Sequence, residues 1–331
     1  MVPVPVVLDV DTGVDDACAL LLAARHPGLD LQAVTCVAGN ADVDQVVANT
    51  LTVLRTAEQA GGPPTAHIPV ARGAQRPLLE RPRPARHVHG EDGMADLGLA
   101  APATAPDPRH AVELLRDVLL AAAAASRPIT LVPLAPMTNV ALLLRTYPRA
   151  AAGLSRIVFM GGSAGIGNVT AAAEFNVWHD PEAAAVVLAA AAELAVPVTM
   201  YGLDVFYDVR VSRSRAEALA ASASPVARLA GGLVAFQCER FEADDATIGD
   251  AGAVCAVVDP GGLTTRRNPV RVELSGEFTR GRTVVDTRPD ALDLERDSRG
   301  VAPCSVDVAT AVDGERYARL WLGAVSQPPT A

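Results

Sequence analysis

The sequence predicts an α/β fold, a mostly parallel open sheet flanked by helices in the Rossmann-like manner, with some antiparallel strands in the C-terminal third. Two observations predict it. Short apolar runs rich in β-branched residues alternate with longer Ala- and Leu-rich stretches over roughly two-thirds of the chain, and parallel strands need such crossover helices because a tight turn cannot join them. Beyond the run Ala251 to Val258, strand-like segments follow one another without helices between them, which permits antiparallel pairing.

Taken in order, Val4 to Val10 is a buried strand, apolar and β-branched. Gly13 breaks it, and Val14 to Arg25 continues at helical density with Asp15 and Asp16 in the first turn, where the macrodipole favours negative charge. Further strands are expected at Leu31 to Val37, Ile68 to Ala71, Ile129 to Leu134, Ile157 to Met160 and Val196 to Tyr201. Helices are expected at Val43 to Gln59, Arg109 to Ala125, Met137 to Thr146 and Pro181 to Leu194, then near Ser214 to Ala221, Val226 to Phe241 and Ala251 to Val258. Pro269 to Leu274, Thr283 to Asp286 and Ser305 to Ala309 read as the closing strands. Residues 72–107, rich in Pro, Arg and Gly, read as an irregular insertion with the character of a lid. With no repeat and no linker, residues 1–331 read as a single domain.

Composition narrows the partners. The chain is 50% hydrophobic with mean hydropathy +0.24, enough for a large core. A net charge of -10 and a pI near 5.1 argue against nucleic acid and anionic membrane. Every basic residue among the 28 counted is Arg, so chemistry that needs a lysine is excluded. Five scattered cysteines without a CxxC pair point to a reduced, cytoplasmic protein. The opening apolar run has no basic flank and is interrupted by Asp9, unlike a signal peptide. Ala183 to Ala192 is too short to span a bilayer.

The chemistry concentrates at Asp9-Val10-Asp11-Thr12-Gly13-Val14-Asp15-Asp16-Ala17, with four carboxylates where a strand gives way to a helix. Such a cluster is hard to explain without a cation. Asp9 and Asp11 project from one side of the strand by its period of two. Asp15 and Asp16 are rotated by roughly 100° about the helix axis, so one can hold a metal while the other faces a ligand. Open α/β sheets bind ligands at the carboxyl ends of their strands, and other polar groups sit there too. Gly39-Asn40 follows the second strand, and the Leu134 carbonyl precedes Ala135-Pro136-Met137-Thr138-Asn139, outside a regular ladder. Asn168, Glu174 and Asn176 lie beyond Met160-Gly161-Gly162, and Asp250 starts an apolar helix. Each alone has an ordinary explanation, such as Asn in a turn or Asp250 as an N-cap. Their shared edge points to one site.

These motifs, with Leu131-Val132-Pro133-Leu134 and Thr138-Asn139, Phe159-Met160-Gly161-Gly162, and Ala173-Glu174-Phe175-Asn176 with Asp180-Pro181-Glu182-Ala183, resemble the calcium-dependent nucleoside hydrolases of the inosine-uridine-preferring type. The resemblance runs collinearly over nearly the whole chain, through Val258-Asp259-Pro260 and Leu263-Thr264-Thr265. It implies hydrolysis of the N-glycosidic bond of ribonucleosides to ribose and free base, as in purine or pyrimidine salvage, with Ca2+ as cofactor, a small-molecule ribonucleoside as partner and a homodimer or homotetramer as the assembly. It implies that Asp11, Asp16, Asp250 and the main-chain oxygen of Leu134 hold the ion, with Asp11 also the general base on a metal-activated water. Asp15 would take the 2′-hydroxyl, Asn40 would position the acidic shell, Met160 would pack under the sugar, and Asn168, Glu174 and Asn176 would hold the ribose. A negative site suits the positive charge that develops on the ribosyl ring as the bond breaks.

One position departs from the resemblance. Where that family carries a histidine before the last metal aspartate, proposed to protonate the leaving base, this chain has Gly249. His89 is the first substitute as leaving-group acid, with Glu242, Asp244 and Asp245 further candidates. Phe236 and Phe241 are candidates for stacking, whereas Trp178 is expected to be packing. A histidine at position 249 is expected to speed inosine hydrolysis if protonation limits the rate. Among rival readings, a haloacid-dehalogenase-type phosphatase would want Thr or Val at Gly13 and a basic residue, usually Lys, for phosphate. Dinucleotide binding would want G-x-G-x-x-G, which Gly161 to Gly167 does not provide. A non-catalytic nucleoside- or ribose-binding homologue is favoured by Gly249 and opposed by Asp11.

Overall fold

The computed structural model describes residues 2–59, 64–100, 102, 104–288 and 302–326. Its strands are β1 (Val4–Val10), β2 (Leu29–Cys36), β3 (Val70–Arg72), β4 (Ile129–Pro133), β5 (Leu154–Met160), β6 (Val198–Tyr201), β7 (Arg210–Ser212), β8 (Asp245–Thr247), β9 (Leu263–Val272), β10 (Thr283–Val285) and β11 (Cys304–Val312). Nine of them form one sheet in the order β10-β9-β11-β6-β5-β4-β1-β2-β3, and β7 pairs with β8 separately. From β3 to β11 every pairing is parallel. The long β9 runs antiparallel to both β11 and β10. The expected mixed sheet is borne out, antiparallel C-terminal third included.

Helices cover both faces: α1 (Val14–Arg25), α2 (Val43–Gln59), α3 (Arg86–His89), α4 (Ala111–Ala124), α5 (Thr138–Thr146), α6 (Phe175–His179), α7 (Pro181–Glu193), α8 (Leu203–Phe206), α9 (Arg213–Ala220), α10 (Pro225–Arg240), α11 (Gly249–Val258) and α12 (Gly314–Ser326). The alternation of β1 divides the core in two. Val6, Leu8 and Val10 face one apolar layer with α1, α2, α10, α11 and α12. Val7 faces the other, with α4, α5 and α7. The α1 helix is buried nearly all round, since α2, α10, α11 and α12 enclose it, and its apolar sequence on every side fits that position.

Several boundaries differ from expectation for physical reasons. The β9 strand begins at Leu263 rather than Pro269, because Thr264 to Arg267 lie exposed and so carry no apolar pattern. The three-residue strands β7 and β8 and the short helices α3, α6 and α8 are too brief to show a period. The expected insertion at 72–107 starts at the last residue of β3, ends at Asp107, which bridges in parallel to Ala71, and between them holds α3 and irregular chain among its described residues; residues 101 and 103 lie outside the description. No described helix is long and apolar enough to cross a membrane.

The sheet order has one consequence for function. From β1 the chain moves outward to β2 and β3, then returns to lay β4 on the other side of β1. At such a reversal the flanking connections diverge and leave a crevice at the strand ends. Asp11 follows β1 and Leu134 follows β4, and the Leu134 N–H donates to the Asp9 carbonyl at 2.8 Å.

Candidate active site

The site grows from the β1–α1 turn. Asp16, in the first turn of α1, folds its carboxylate back so that it accepts the Asp11 N–H at 3.2 Å and the Gly13 N–H at 2.9 Å. These bonds satisfy donors that the helix start leaves open. The turn after β2 adds Asn40, whose N–H donates to Asp11 Oδ2 at 2.8 Å and whose side-chain amide donates to Asp16 Oδ2 at 3.2 Å. Gly39 is demanded by this approach: a Cβ there would stand 2.0 Å from Asp11 Oδ2.

Across the crevice, Asp250 enters from the first turn of α11. Asp15, Asp16 and Asp250 each offer an oxygen, all within 4.8 Å of one another. Asp11 adjoins this group, and Asp11 Oδ1 and Asp15 Oδ1 are buried without a hydrogen-bond partner. Burial and mutual repulsion disfavour charge here. Burial first, then the Asp16 charge, pushes Asp11 well above the carboxylate range. Burial and Asp15 push Asp16 up to about 7, and burial with Asp15, Asp16 and Asp11 pushes Asp250 well above its ordinary value. Unpartnered buried carboxylate oxygens are the donors a hard cation prefers, so these residues fit a bound divalent ion.

The sugar-side residues come from β4, β5 and α6. Glu174 caps α6, with Oε1 accepting the Asn176 N–H at 2.8 Å and Oε2 accepting those of Gly162 and Val177 at 2.8 and 3.1 Å. Burial nevertheless pushes it up to about 7. The Asn176 amide donates to the carbonyls of Leu134 at 2.9 Å and Met160 at 3.2 Å, so the Leu134 oxygen, although outside the ladder, has a side-chain partner. Asn168 is exposed and accepts the Phe175 N–H at 3.0 Å.

Asp11, Asp15, Asn40, His89, Leu134, Met160, Asn168, Glu174, Asn176 and Asp250 all line one cavity of about 580 Å³. Asp16 lies beneath it, in the acidic group. One detail of the aspartate motif differs from the sequence reading. Asp9 is not in the acidic group: its Oδ1 accepts from Thr35 Oγ1 at 2.6 Å and from the Asn139 amide at 2.8 Å, tying β1 to β2 and α5. Asp15 lines the cavity while Asp16 lies beneath it, in keeping with their rotation about the helix axis, and their oxygens lie within 4.8 Å of each other and of Asp250.

The outer wall holds residues the sequence did not single out. Phe206 and Tyr207, at the end of α8, line the cavity with their rings edge-on at 5.1 Å. Trp178 lines it too, with the Arg83 guanidinium 4.5 Å above its ring, so it is more than packing. Of the stacking candidates, Phe241 reaches the cavity, whereas Phe236 packs against the core. Asp245 reaches the wall but is paired with Arg210 at 3.0 Å, while Glu242 and Asp244 are not among the lining residues. His89 Nδ1 accepts the Val14 N–H at 3.2 Å. That bond leaves Nε2 as the protonated nitrogen, and burial lowers the pKa of the ring. Buried and neutral, His89 suits donation of a hydrogen bond better than transfer of a proton.

Position 249 has a steric explanation. A Cβ on Gly249 would stand 1.8 Å from Phe206 Cε2 and 2.0 Å from Cζ, so the Phe206 ring fills the place of a side chain there. A side chain at position 249 would therefore have to displace the Phe206 ring.

A doubly wound sheet with a buried, cation-competent acidic group at its switch point, beneath a cavity of nucleoside size, defines an α/β enzyme acting on a small polar substrate. The pattern of the inosine-uridine preferring nucleoside hydrolases matches residues 6–319, and the chain belongs to that family of N-glycosidases. It is 37% identical over 287 residues to a pyrimidine-specific ribonucleoside hydrolase RihA of Salmonella schwarzengrund, covering 85% of this chain and 88% of that protein. Among solved structures it is similar to a plant nucleoside hydrolase, PpNRh1, at 28% identity and a TM-score of 0.85, covering 98% and 100% of the two chains. It is also similar to a purine-preferring ribonucleoside hydrolase from Gardnerella vaginalis, at 26% identity and a TM-score of 0.84, covering 97% and 98%. Relatives named for pyrimidines and for purines share this architecture, so the scaffold by itself does not dictate the base.

Proposed function

We propose that this protein cleaves the N-glycosidic bond of ribonucleosides to ribose and free base, with Asp11 as general base. The observation that carries the reading is the free, buried Oδ1 of Asp11 on the cavity floor, beside the Asp15, Asp16 and Asp250 oxygens. Asp11 takes a proton from the attacking water, whose oxygen bonds to C1′ as the bond to the base nitrogen breaks. Its Oδ2 is anchored by the Asn40 N–H, which leaves Oδ1 for that proton. The carboxylates around it favour the positive charge developing on the ribosyl ring. Asp15 and Asn176 hold the 2′ and 3′ hydroxyls, Glu174 and Asn168 the 5′ end, and Met160 the underside of the sugar, consistent with their positions along one wall.

Asp11, Asp16, Asp250 and the Leu134 carbonyl would hold a Ca2+ ion, a reading supported by the close approach of the Asp16 and Asp250 oxygens, to which Asp15 adds a third. When bound, calcium supplies a Lewis acid that lowers the pKa of water and anchors the ribose diol. We further propose a single domain over 1–331, supported by the one sheet that gathers β1 through β11 apart from the β7–β8 pair. The 72–107 segment acts as a cover, supported by Arg83, His87 and His89 in the cavity wall. A cytoplasmic homodimer or homotetramer serving nucleoside salvage completes the proposal.

The test is release of reducing sugar from a panel of purine and pyrimidine ribonucleosides with calcium present. Hydrolysis of at least one, abolished in Asp11→Ala with the fold retained, supports the reading; Asp11→Ala activity within about tenfold of the parent removes Asp11 as base. Binding of cation and nucleoside without sugar release would make the protein the non-catalytic homologue instead.

A further inference from the structure

The ribbon of β7 and β8 rises from the acidic floor toward the cavity rim. Asp245 opens β8, and Thr247, Ile248 and Gly249 lead from it directly into Asp250. The three steps from Asp245 to Ile248 set Asp245 up to roughly 10 Å above the floor. Side chains alternate across the ribbon. Val211 and Ala246 are buried in the apolar layer, whereas Arg210, Asp245 and Thr247 take the opposite face and line the cavity. The Thr247 hydroxyl is occupied, since it donates to the Phe206 carbonyl at 2.8 Å. Among the described residues the side chains of Arg210 and Asp245 pair only with one another, at 3.0 Å, and they are 53% and 38% exposed. A forked donor and a forked acceptor thus stand side by side with most of their capacity open to the cavity.

We infer that Arg210 and Asp245 select the base, and that the base they fit is guanine. The inference rests on the hydrolase reading above, with the ribosyl group on the acidic floor and the base extending up the ribbon. Among the common bases, guanine alone turns two parallel N–H donors, at N1 and N2, and a carbonyl, O6, to the side remote from the sugar. Asp245 accepts both donors in the way a carboxylate accepts a guanidinium, and Arg210 donates to O6. Hypoxanthine lacks the N2 amine and leaves one carboxylate oxygen unmet. Adenine turns an acceptor toward Asp245 and a donor toward Arg210, so both contacts become repulsive. A pyrimidine is a single ring and stops short of the rim. The pair is solvated before substrate enters, so binding exchanges one set of hydrogen bonds for another and the discrimination is moderate.

The experiment compares kcat/KM for guanosine, inosine, adenosine and xanthosine in the parent and in Asp245→Asn. Matched hydrogen bonds to a base edge discriminate by about tenfold or more, so the parent should prefer guanosine to inosine by about tenfold and to adenosine by more. Asp245→Asn exchanges an acceptor for an N–H donor, which meets the O2 carbonyl of xanthine instead of the N2 amine of guanine. The variant should lose the guanosine preference over inosine and shift the guanosine-to-xanthosine ratio about tenfold toward xanthosine. A role confined to holding the ribbon together would lower all four substrates alike. Arg210→Met should lower guanosine and inosine more than adenosine. 1-Methylguanosine lacks the N1 donor, so it tests the parent without any variant, and it should react about tenfold or more slower than guanosine. An unchanged guanosine-to-inosine ratio in Asp245→Asn, or equal rates on guanosine and 1-methylguanosine in the parent, would overturn the inference. The hydrolase reading fails separately, by absence of ribose release from every substrate including 4-nitrophenyl riboside, whose leaving group presents no such edge.

Discussion

Removing the cation should leave a protein whose stability falls as pH rises, the reverse of ordinary carboxylate behaviour. Asp16 is fully buried and its folded-state pKa stands at about 7, against roughly 3.9 in the unfolded chain. Between those values the folded state binds more protons than the unfolded one, so the slope of stability against pH is negative. The stability held by protonated Asp16 is fully present below the unfolded value and is lost as pH rises through 7. From pH 5 to 7.5 a single such group accounts for about 2.5 kcal/mol. Asp11 and Asp250 shift in the same direction and steepen the same slope. A bound divalent ion favours the ionised carboxylates and should flatten the slope, and it adds stability by mass action. Asp9, also raised to about 7 but tied to Thr35 and Asn139 outside the group, gives a background slope in both conditions. The assay is urea unfolding at pH 5 and 7.5, in chelator and in excess calcium. A chelated protein as stable at pH 7.5 as at pH 5, or parallel slopes with and without calcium, would refute the cation-site reasoning.

Two further substitutions probe the scaffold. Asn139→Ala removes an amide that donates to Asp9 at 2.8 Å and to the Cys36 carbonyl at 3.0 Å while accepting the Ala74 N–H at 2.9 Å. Left unpaired, these groups should cost roughly 3 to 5 kcal/mol, and a loss under about 1 kcal/mol in urea unfolding would show that water replaces the amide. Gly249→His drives a side chain into Phe206, so it should destabilise by about 2 kcal/mol or more without speeding inosine hydrolysis. Combining it with Phe206→Ala should recover stability in a double-mutant cycle; a single variant as stable as the parent and faster on inosine would contradict the packing argument.

Much of the site was legible because its chemistry is written at strand ends. A continuous apolar, β-branched run identified β1, and with β1 a parallel strand, Asp11, Asn40, Leu134, Glu174 and Asp250 all fall at the carboxyl edge of the sheet. The separation of Asp9 from Asp11 was not legible, because β1 ends at Val10 and only the turn lets Asp11 swing toward Asn40. The arrival of Asp250 beside Asp15 and Asp16 depends on α11, more than two hundred residues away in sequence. Phe206 and Tyr207 gave no signal: the helix that Phe206 ends spans four residues, and an adjacent aromatic pair looks like core. Their place in the wall depends on Gly249, whose missing side chain is visible in the sequence but whose neighbour is not.

How so many buried acids coexist follows from where they sit on helices. Asp15 and Asp16 occupy the first turn of α1, Asp250 the first turn of α11, and Glu174 the N-cap of α6. Each helix start presents about half a positive charge and a set of open N–H donors, and Asp16 and Glu174 use those donors directly. This offsets part of the repulsion, yet Asp16 and Glu174 still stand at about 7 and Asp11 and Asp250 higher than their ordinary range. Helix termini alone therefore do not neutralise the group. What remains is a demand for positive charge that either protons or a divalent ion can meet. Protons would occupy the Asp11 oxygen that the proposed general base must keep free. A cation would meet the same demand and leave Asp11 ionised, so stability and the proposed base role at neutral pH would both favour an ion there.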